Sequence, residues 1–289
     1  MKPPPFSYHD PRTVSDAVGL LSRLENAKVL AGGQSLMPML NMRYVLPDHV
    51  IDLNKIEALS YLKDEGATLS IGAMTRQRDI EFSDTIAKKF PLIHEAILNV
   101  GHRQTRNRGT IGGSLCHLDP SAELVTMAAA FDATVTAEGP KGKREIAFAD
   151  FPQGYMTPGI EADELLTTVK FAAWPAGHGY GFVEFARRHG DFAIASAAAL
   201  LEEDVNGKIK RASLTLGGVA VAPVRMRAVE KSLVGQTASE ALFRELCEEC
   251  RKVEAIEDVH APANYRQHLA AVLSRRALMA AHGRVGGKA

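Results

Sequence analysis

The chain has 289 residues, and its 34 basic residues are balanced by 34 acidic ones. Because single domains commonly run to about 100 to 200 residues, this length predicts two domains, each with its own core. A chain without net charge has no overall field that attracts nucleic acid or an anionic membrane. No apolar run reaches the roughly 18 residues that span a bilayer, and the N-terminal sequence MKPPPFSYHD lacks an export or import pattern. We therefore expect a cytoplasmic protein, with no nucleic-acid partner and no membrane insertion.

The first part of the chain mixes helices with strands. Thr13 or Ser15 is suited to cap a helix, because the apolar residues that follow recur at helical spacing. The elements predicted in chain order are a helix from 14 to about 25, strands at 28–31, 50–53 and 68–71, a helical region at 76–100, a helix at 120–131, a hairpin of 134–136 with 144–146, and a strand at 165–171.

The composition changes at residues 172–181, AAWPAGHGYG, where glycine, proline and alanine crowd together and predict a domain boundary. Beyond it the pattern predicts strands at 182–187, 193–201 and 209–216, with Asn206-Gly207 as a hairpin turn, and helices at 238–254 and 263–282. The expected fold class is α+β in two parts, and the second, smaller part has a three-stranded antiparallel sheet with helices.

Two glycine pairs occur in similar surroundings, VLAGGQSLMPML at 29–40 and GTIGGSLCHLDP at 109–120. Paired glycines allow positive φ and remove Cβ atoms, so that consecutive backbone N–H groups can converge on an anion. Neither pair has the lysine and spacing of a P-loop, and no GxGxxG motif lies between a strand and a helix. Each pair taken alone is compatible with a simple tight turn, but together they suggest a ligand whose pyrophosphate reaches both.

Four segments together resemble one known family, the FAD-binding medium subunit of the molybdenum hydroxylases, which includes carbon monoxide dehydrogenase and xanthine dehydrogenase. The segments are VLAGGQSLMPMLNMR at 29–43, NVGHRQTRNRGTIGGSLCHLDPSAEL at 99–124, RRHGDFAIASAAA at 187–199 and ANYRQHLAAVLSRRAL at 263–278. The resemblance implies a PCMH-type FAD-binding domain at 1–175, with subdomains of about 1–55 and 56–175. It also implies a carbon monoxide dehydrogenase flavoprotein C-terminal-like domain at 176–289.

The resemblance further implies an FAD site built from both glycine turns. The cofactor-binding residues implied for the first turn are Ala31, Gly32, Gly33, Gln34, Ser35 and Leu36, and those for the second are Thr110, Gly112, Gly113 and Ser114. Glu123 matches an acidic residue near the flavin ring, where many relatives have Asp, while Gly159 and Ile160 match residues against the isoalloxazine. Cys116 follows the second turn and either touches the flavin or simply packs.

In this family the medium subunit carries FAD and performs no substrate chemistry, so the resemblance implies no catalytic residue on this chain. Its three cysteines are too few for a two-iron, two-sulfur cluster, which needs four thiolates. The implied partners are a large molybdopterin subunit and a small iron–sulfur subunit, assembled as a dimer of heterotrimers. The flavin then passes electrons to an external acceptor.

Two other functions remain open at this stage. One is a self-contained PCMH-type flavoprotein reductase or oxidase, and the other is a flavin-free scaffold with purely structural glycine turns. The basic run of Arg103, Arg106 and Arg108 before the second turn also has three interpretations. It is a solvated loop, a group that neutralises the pyrophosphate, or a docking surface for an acidic face of the iron–sulfur subunit.

Overall fold

The structure is a computed structural model of the single chain and describes residues 1–287. Its N-terminal part begins with a parallel sheet in the order β1-β3-β2. The elements are β1 (Ser7–His9), α1 (Val14–Leu21), β2 (Ala27–Leu30), α2 (Leu36–Asn41) and β3 (His49–Asp52). Thr13, one of the two candidate caps, accepts a hydrogen bond from the backbone N–H of Asp16 (3.1 Å) and begins α1.

A five-stranded antiparallel sheet in the order β4-β5-β10-β6-β7 follows, with six helices inserted after its second strand. The elements are β4 (Leu62–Asp64), β5 (Thr68–Gly72), α3 (Gln77–Glu81), α4 (Asp84–Lys89), α5 (Pro91–Ile97), α6 (Arg103–Arg108), α7 (Ile111–His117), α8 (Glu123–Ala130), β6 (Thr134–Gly139), β7 (Gly142–Ala147), β8 (Pro152–Gly154), β9 (Thr157–Pro158) and β10 (Leu165–Ala172). The predicted hairpin is present as β6 and β7, with Thr136 opposite Glu145.

The C-terminal part has a four-stranded antiparallel sheet, whereas three strands were expected. Its elements are β11 (Gly179–Phe185), β12 (Ala195–Glu203), β13 (Ile209–Gly217), β14 (Val224–Arg225), α9 (Arg227–Leu233), α10 (Glu240–Leu246) and α11 (Ala263–Gly283). The sequence pattern missed β14 because two residues show no alternation of apolar and polar side chains. Gly207 takes φ +74° in the predicted turn between β12 and β13.

Strand β12 is buried on both of its faces and joins the two parts of the molecule. Ala198 and Leu200 belong to the large core formed with the five-stranded sheet and α5, α7 and α8. Ala197, Ala199 and Leu201 face the opposite way, into the core under α11. Side chains alternate along a strand, so this run of apolar residues is explained by burial on both faces. Within residues 1–287, no helix combines the length and apolar character needed to cross a bilayer.

Several predicted helices have different boundaries in the structure. The predicted helical region 76–100 consists of three helices, since Ser83 caps α4 and Pro91 begins α5. The helix expected from residue 120 begins at Glu123, because Leu118 has φ +52° and Asp119 accepts a hydrogen bond from the N–H of Ser121 (2.9 Å). The helix expected at 238–254 ends early, and a 3-10 helix continues it over 247–252.

Candidate cofactor site

The first glycine turn, residues 31–36, connects β2 to α2 and keeps its donors unused. Gly33 has φ +74°, a left-handed conformation that favours glycine. Ser35 occupies the cap position of α2, yet its side chain makes no capping hydrogen bond. In the part of the chain that the structure describes, the N–H groups of residues 32–35 have no protein acceptor. Because unpaired N–H groups need a partner, this half-buried turn has the donors to bind an anion.

The second glycine pair lies inside the first turn of α7 and offers no free amides. The N–H groups of residues 111–114 donate, in chain order, to Thr75 O (3.2 Å), Ala73 O (2.9 Å), Thr110 Oγ1 (3.1 Å) and Thr110 O (3.1 Å). The expectation that both glycine pairs present amides to one anion is therefore wrong for Gly112 and Gly113. Their small size is what the fold requires, since a Cβ on Gly112 would lie 2.6 Å from the Cβ of Ala73.

The two glycine turns lie against each other although they are far apart in the chain. A Cβ on Gly32 would lie 2.3 Å from the carbonyl oxygen of Arg108 and 2.8 Å from the Cα of Gly109. A Cβ on Gly113 would lie 3.4 Å from the Cβ of Ala31. Gly32 thus allows a close backbone approach, which no other residue permits without displacing the second turn.

Two residues that the sequence motifs do not contain, Asn54 and Arg76, connect these turns. The side-chain amide of Asn54 donates to Ala31 O (3.0 Å). The guanidinium of Arg76 donates both to Asn54 Oδ1 and to Arg108 O. Burial and then the nearby charge of Arg108 lower the pKa of Arg76, which remains a cation. No sequence pattern indicated this link, because it depends on three segments meeting in space.

The basic run before the second turn is the ordered helix α6, not a solvated loop. Its middle residue, Arg106, is buried and donates to both carboxylate oxygens of Glu81 (2.8 and 3.0 Å) and to Val100 O (3.0 Å). Arg106 is thus occupied within the protein, and the interpretations that gave it a ligand or a partner are wrong. Arg103 and Arg108 are exposed.

Two other candidates, Cys116 and Glu123, lie beyond the second turn. Cys116 is half-buried and packs against the large core, where burial raises the pKa of its thiol to about 12. Glu123 is the first residue of α8 and is 5% exposed. Burial, together with the charges of Glu184 and Asp119, raises the pKa of Glu123 to about 8. Neither side chain is therefore a permanent anion at neutral pH.

Gly159 and Ile160 follow β9, and this strand packs against α7. The N–H of Gly159 donates to Phe151 O (2.6 Å), and Ile160 packs against the large core. Gly159 and Ile160 therefore lie near α7, the helix that carries Gly112 and Gly113.

The donors gathered at the first turn suit a diphosphate. They comprise free backbone N–H groups and the Ser35 hydroxyl, with the cations Arg76 and Arg108 beside them. Charge-assisted hydrogen bonds from such donors are stronger than neutral ones and favour phosphate oxygens. Gly32 lets the second turn approach closely, and Gly33 supplies the positive φ that shapes the first turn.

Comparison with known proteins identifies the family. Residues 4–174 match the FAD binding domain in molybdopterin dehydrogenase, and residues 180–281 match the CO dehydrogenase flavoprotein C-terminal domain. The chain is 37% identical to the carbon monoxide dehydrogenase medium chain of Afipia carboxidovorans, over 98% of this chain and 99% of that one. It is 36% identical to 6-hydroxypseudooxynicotine dehydrogenase complex subunit alpha of Paenarthrobacter nicotinovorans, over 96% and 95% of the two chains.

A solved structure extends the likeness to the fold. The carbon monoxide dehydrogenase of Hydrogenophaga pseudoflava superposes with a TM-score of 0.96 at 34% identity, covering 99% of this chain and 100% of the matched chain. The mixed α/β architecture in two parts is therefore the architecture of that protein. The expected family and cofactor are confirmed: the chain belongs to the FAD-binding medium subunits of the molybdenum hydroxylases, a family of oxidoreductases.

Proposed function

We propose that this chain is the FAD-carrying electron-transfer subunit of a heteromeric molybdenum hydroxylase. It receives electrons from an iron–sulfur partner subunit and passes them to an external acceptor. Bound FAD supplies the redox chemistry, and the chain supplies binding and orientation. The observation that carries the proposal is the first glycine turn. It has unpaired N–H groups, packs against the second turn and lies beside Arg76 and Arg108.

Within this proposal the two turns have different tasks. Residues 31–36 bind the pyrophosphate through backbone N–H groups and the hydroxyl of Ser35. Arg76 and Arg108 neutralise part of its charge. The opposite wall of the site consists of Thr110, Gly112, Gly113 and Ser114, and the amides of the last three are already occupied.

We assign the flavin-ring end of the site to the residues that follow. Glu123 begins α8, while Cys116, Gly159 and Ile160 lie on or beside α7. Their mixed polar and apolar character suits a ring that has one polar edge and two apolar faces. We also place the division between the FAD-binding domain and the C-terminal domain at residues 175 and 176, with subdomains of about 1–55 and 56–175.

We propose the same partners that the resemblance implies, a large molybdopterin subunit and a small iron–sulfur subunit in a dimer of heterotrimers. The names of the relatives support a heteromeric assembly, since they are called medium chain or complex subunit. Of the three cysteines, Cys247 and Cys250 are buried in the C-terminal core and Cys116 packs against the N-terminal one. This arrangement leaves the metal centres to the partners.

The test compares two glycines with the same backbone conformation. Gly33 and Gly207 both have φ +74°, but Gly207 lies in an open hairpin turn with nothing within 4 Å of an added Cβ. Both alanine variants strain the backbone, whereas only Gly33→Ala distorts the proposed phosphate turn. Losing one charge-assisted hydrogen bond costs about 1.5–3 kcal/mol, so we expect Gly33→Ala to weaken FAD binding by about 10- to 100-fold.

FAD content and affinity are measured by flavin absorbance and fluorescence titration of the folded protein. Equal FAD affinity for Gly33→Ala and Gly207→Ala would refute the assigned site. The electron-transfer role is tested separately by purifying the protein with its associated subunits and adding substrate. Substrate-dependent bleaching of FAD only when the partners are present supports it, while bleaching of the isolated chain by a substrate supports a self-contained oxidoreductase.

A further inference from the structure

A buried carboxyl group and a partly buried one lie where α8 meets the C-terminal sheet. Glu123, at the start of α8, is 5% exposed. Glu184 lies on β11, and its Oε2 atom is buried without a hydrogen-bond partner among residues 1–287. Burying an unpaired carboxylate is costly, so this arrangement requires an explanation.

The strand register explains how the two carboxyls come together. Glu184 stands opposite Ser196 on β12, and Ser196 stands opposite Gly217 on β13. A Cβ on Gly217 would lie 2.2 Å from Thr126 Oγ1 and 2.5 Å from Ser196 Oγ. The first turn of α8, which carries Glu123 and Thr126, therefore rests on this row of the sheet. The hydroxyl of Ser196 is also buried and unpartnered, so Glu184 has a polar neighbour in this row.

No cation neutralises this pair in the described part of the chain. Arg106 acts weakly on Glu123, but its Nε and one of its terminal nitrogens already donate to Glu81. Asp119, in the connection before α8, adds another negative charge. Burial raises the pKa of Glu123 to about 8 and that of Glu184 to about 7.

Other charged groups lie on the elements packed around the pair, and those that form ion pairs do so with other residues. Helix α5 packs against both α8 and β11 and carries His94 and Glu95. Glu95 accepts a hydrogen bond from Arg284 (2.7 Å). On the sheet side, Arg225 donates to Glu230 (2.8 Å). The charges that act on Glu123 are therefore those of Glu184 and Asp119 and, more weakly, that of Arg106.

The pair adjoins the proposed FAD site. Helix α7 leads from the second glycine turn to the connection 118–122, and a helix of this length rises about 10 Å. The N–H of Gly218 donates to Pro120 O (2.7 Å), which fixes that connection against the C-terminal sheet. Helix α7 and this connection thus join the second glycine turn to α8, so a charge at this end of the site acts on the pair partly through protein.

We propose that Glu123 and Glu184 form a buried proton-holding pair that takes up a proton when negative charge arrives at the cofactor site and releases it when the charge leaves. This inference rests on the proposed function. The reductant delivers the electrons to FAD. On the chain itself, an O–H bond forms on a carboxylate oxygen as an O–H bond of a hydronium ion breaks, and the proton returns to water when the electrons leave. In a medium of low polarity the added negative charge favours the protonated carboxyl. Reduction of the cofactor and proton uptake by the pair are thereby coupled.

The experiment is a spectroelectrochemical titration of FAD in the intact complex from about pH 5.5 to about pH 9.5, with dithionite as the reductant. For the wild type we expect proton uptake per reduced FAD to exceed that of Glu184→Gln by up to about one proton near neutral pH. Glu184→Asp, which keeps a titratable group, should retain the extra uptake. Glu245→Gln, an exposed carboxyl on α10, is the matched control and should follow the wild type.

If proton uptake per reduced FAD depends on pH in the same way for Glu184→Gln and the wild type, with FAD bound and reducible in both, the proton-holding pair is refuted. The proposed function is then unaffected. A complex that contains no FAD would instead refute the proposed function. If Glu184→Gln fails to fold, the Glu184→Asp variant decides the question, because loss of the extra uptake in this folded, still titratable variant contradicts the proposal.

Discussion

At the scale of single residues, the molecule holds a buried carboxyl whose protonation depends on folding. Burial raises the pKa of Glu123 to about 8 from an ordinary value of 4.5. The folded state therefore binds this proton more tightly than the unfolded chain does. The stabilising contribution is fully present below about pH 4.5 and is lost as the pH rises towards 8.

Glu123→Gln should remove this dependence, because a neutral amide cannot ionise. We expect the free energy of unfolding of the variant to fall less steeply than that of the wild type between about pH 5 and about pH 8. Urea denaturation at a series of pH values measures it, and Glu245→Gln, an exposed carboxyl, serves as the control. If the free energy of unfolding depends on pH in the same way for the wild type and Glu123→Gln, burial does not raise the pKa of Glu123.

At the scale of elements, helix α7 depends on the cap formed by Thr110. The N–H of Gly113 donates to Thr110 Oγ1 (3.1 Å), and this bond fixes the start of the helix beside the first glycine turn. Helix α10 has an equivalent cap far from the site, since the N–H of Leu242 donates to Ser239 Oγ (3.2 Å). Comparing variants of the two caps therefore distinguishes an effect on helix stability from an effect on FAD binding.

Thr110→Ala and Ser239→Ala should each lower the free energy of unfolding by about 1 kcal/mol, because each removes one helix cap. Only Thr110→Ala should also weaken FAD binding, by about fivefold for a loss of about 1 kcal/mol. Chemical denaturation and flavin titration of both variants give the two quantities. Full FAD affinity in Thr110→Ala would show that the position of α7 does not matter to the cofactor.

At the scale of the whole molecule, arginines hold the two parts together. Arg225 on β14 donates to Ala129 O (2.9 Å) at the end of α8, to Asp132 Oδ1 (2.9 Å) and to Glu230 Oε1 (2.8 Å). Arg266 on α11 donates to the carbonyl oxygens of Ile194 and Gly218 (2.7 Å for Gly218). The N–H of Gly218 also donates to Pro120 O, so α11 supports the connection that leads into α8.

Arg225→Met should lower the free energy of unfolding by about 3–5 kcal/mol, because it leaves the buried Glu230 without its partner. Arg244→Met is the matched control, since Arg244 forms an exposed ion pair with Glu240 that is worth about 0.3–0.5 kcal/mol. Urea denaturation of both variants provides the comparison. Similar losses in the two would show that Arg225 does not join the parts.

Periodicity and turn residues were sufficient for most elements of the fold. They predicted the hairpin of β6 and β7, the three long strands of the C-terminal sheet and helix α11. They missed β14 and left the helical region 76–100 undivided, where the structure has three helices. A two-residue strand exists only through its pairing with β13, so the local pattern contains no trace of it.

The sequence by itself determined the family, the FAD cofactor and the two glycine turns, because paired glycines and their neighbours are local features of the chain. Tertiary structure alone decided which amides are free, since those of residues 111–114 are occupied by segments distant in the chain. It also removed Arg106 from the site and introduced Asn54 and Arg76. Burial and hydrogen bonding are properties of the space around a residue, and that space is assembled from segments that are not neighbours in sequence.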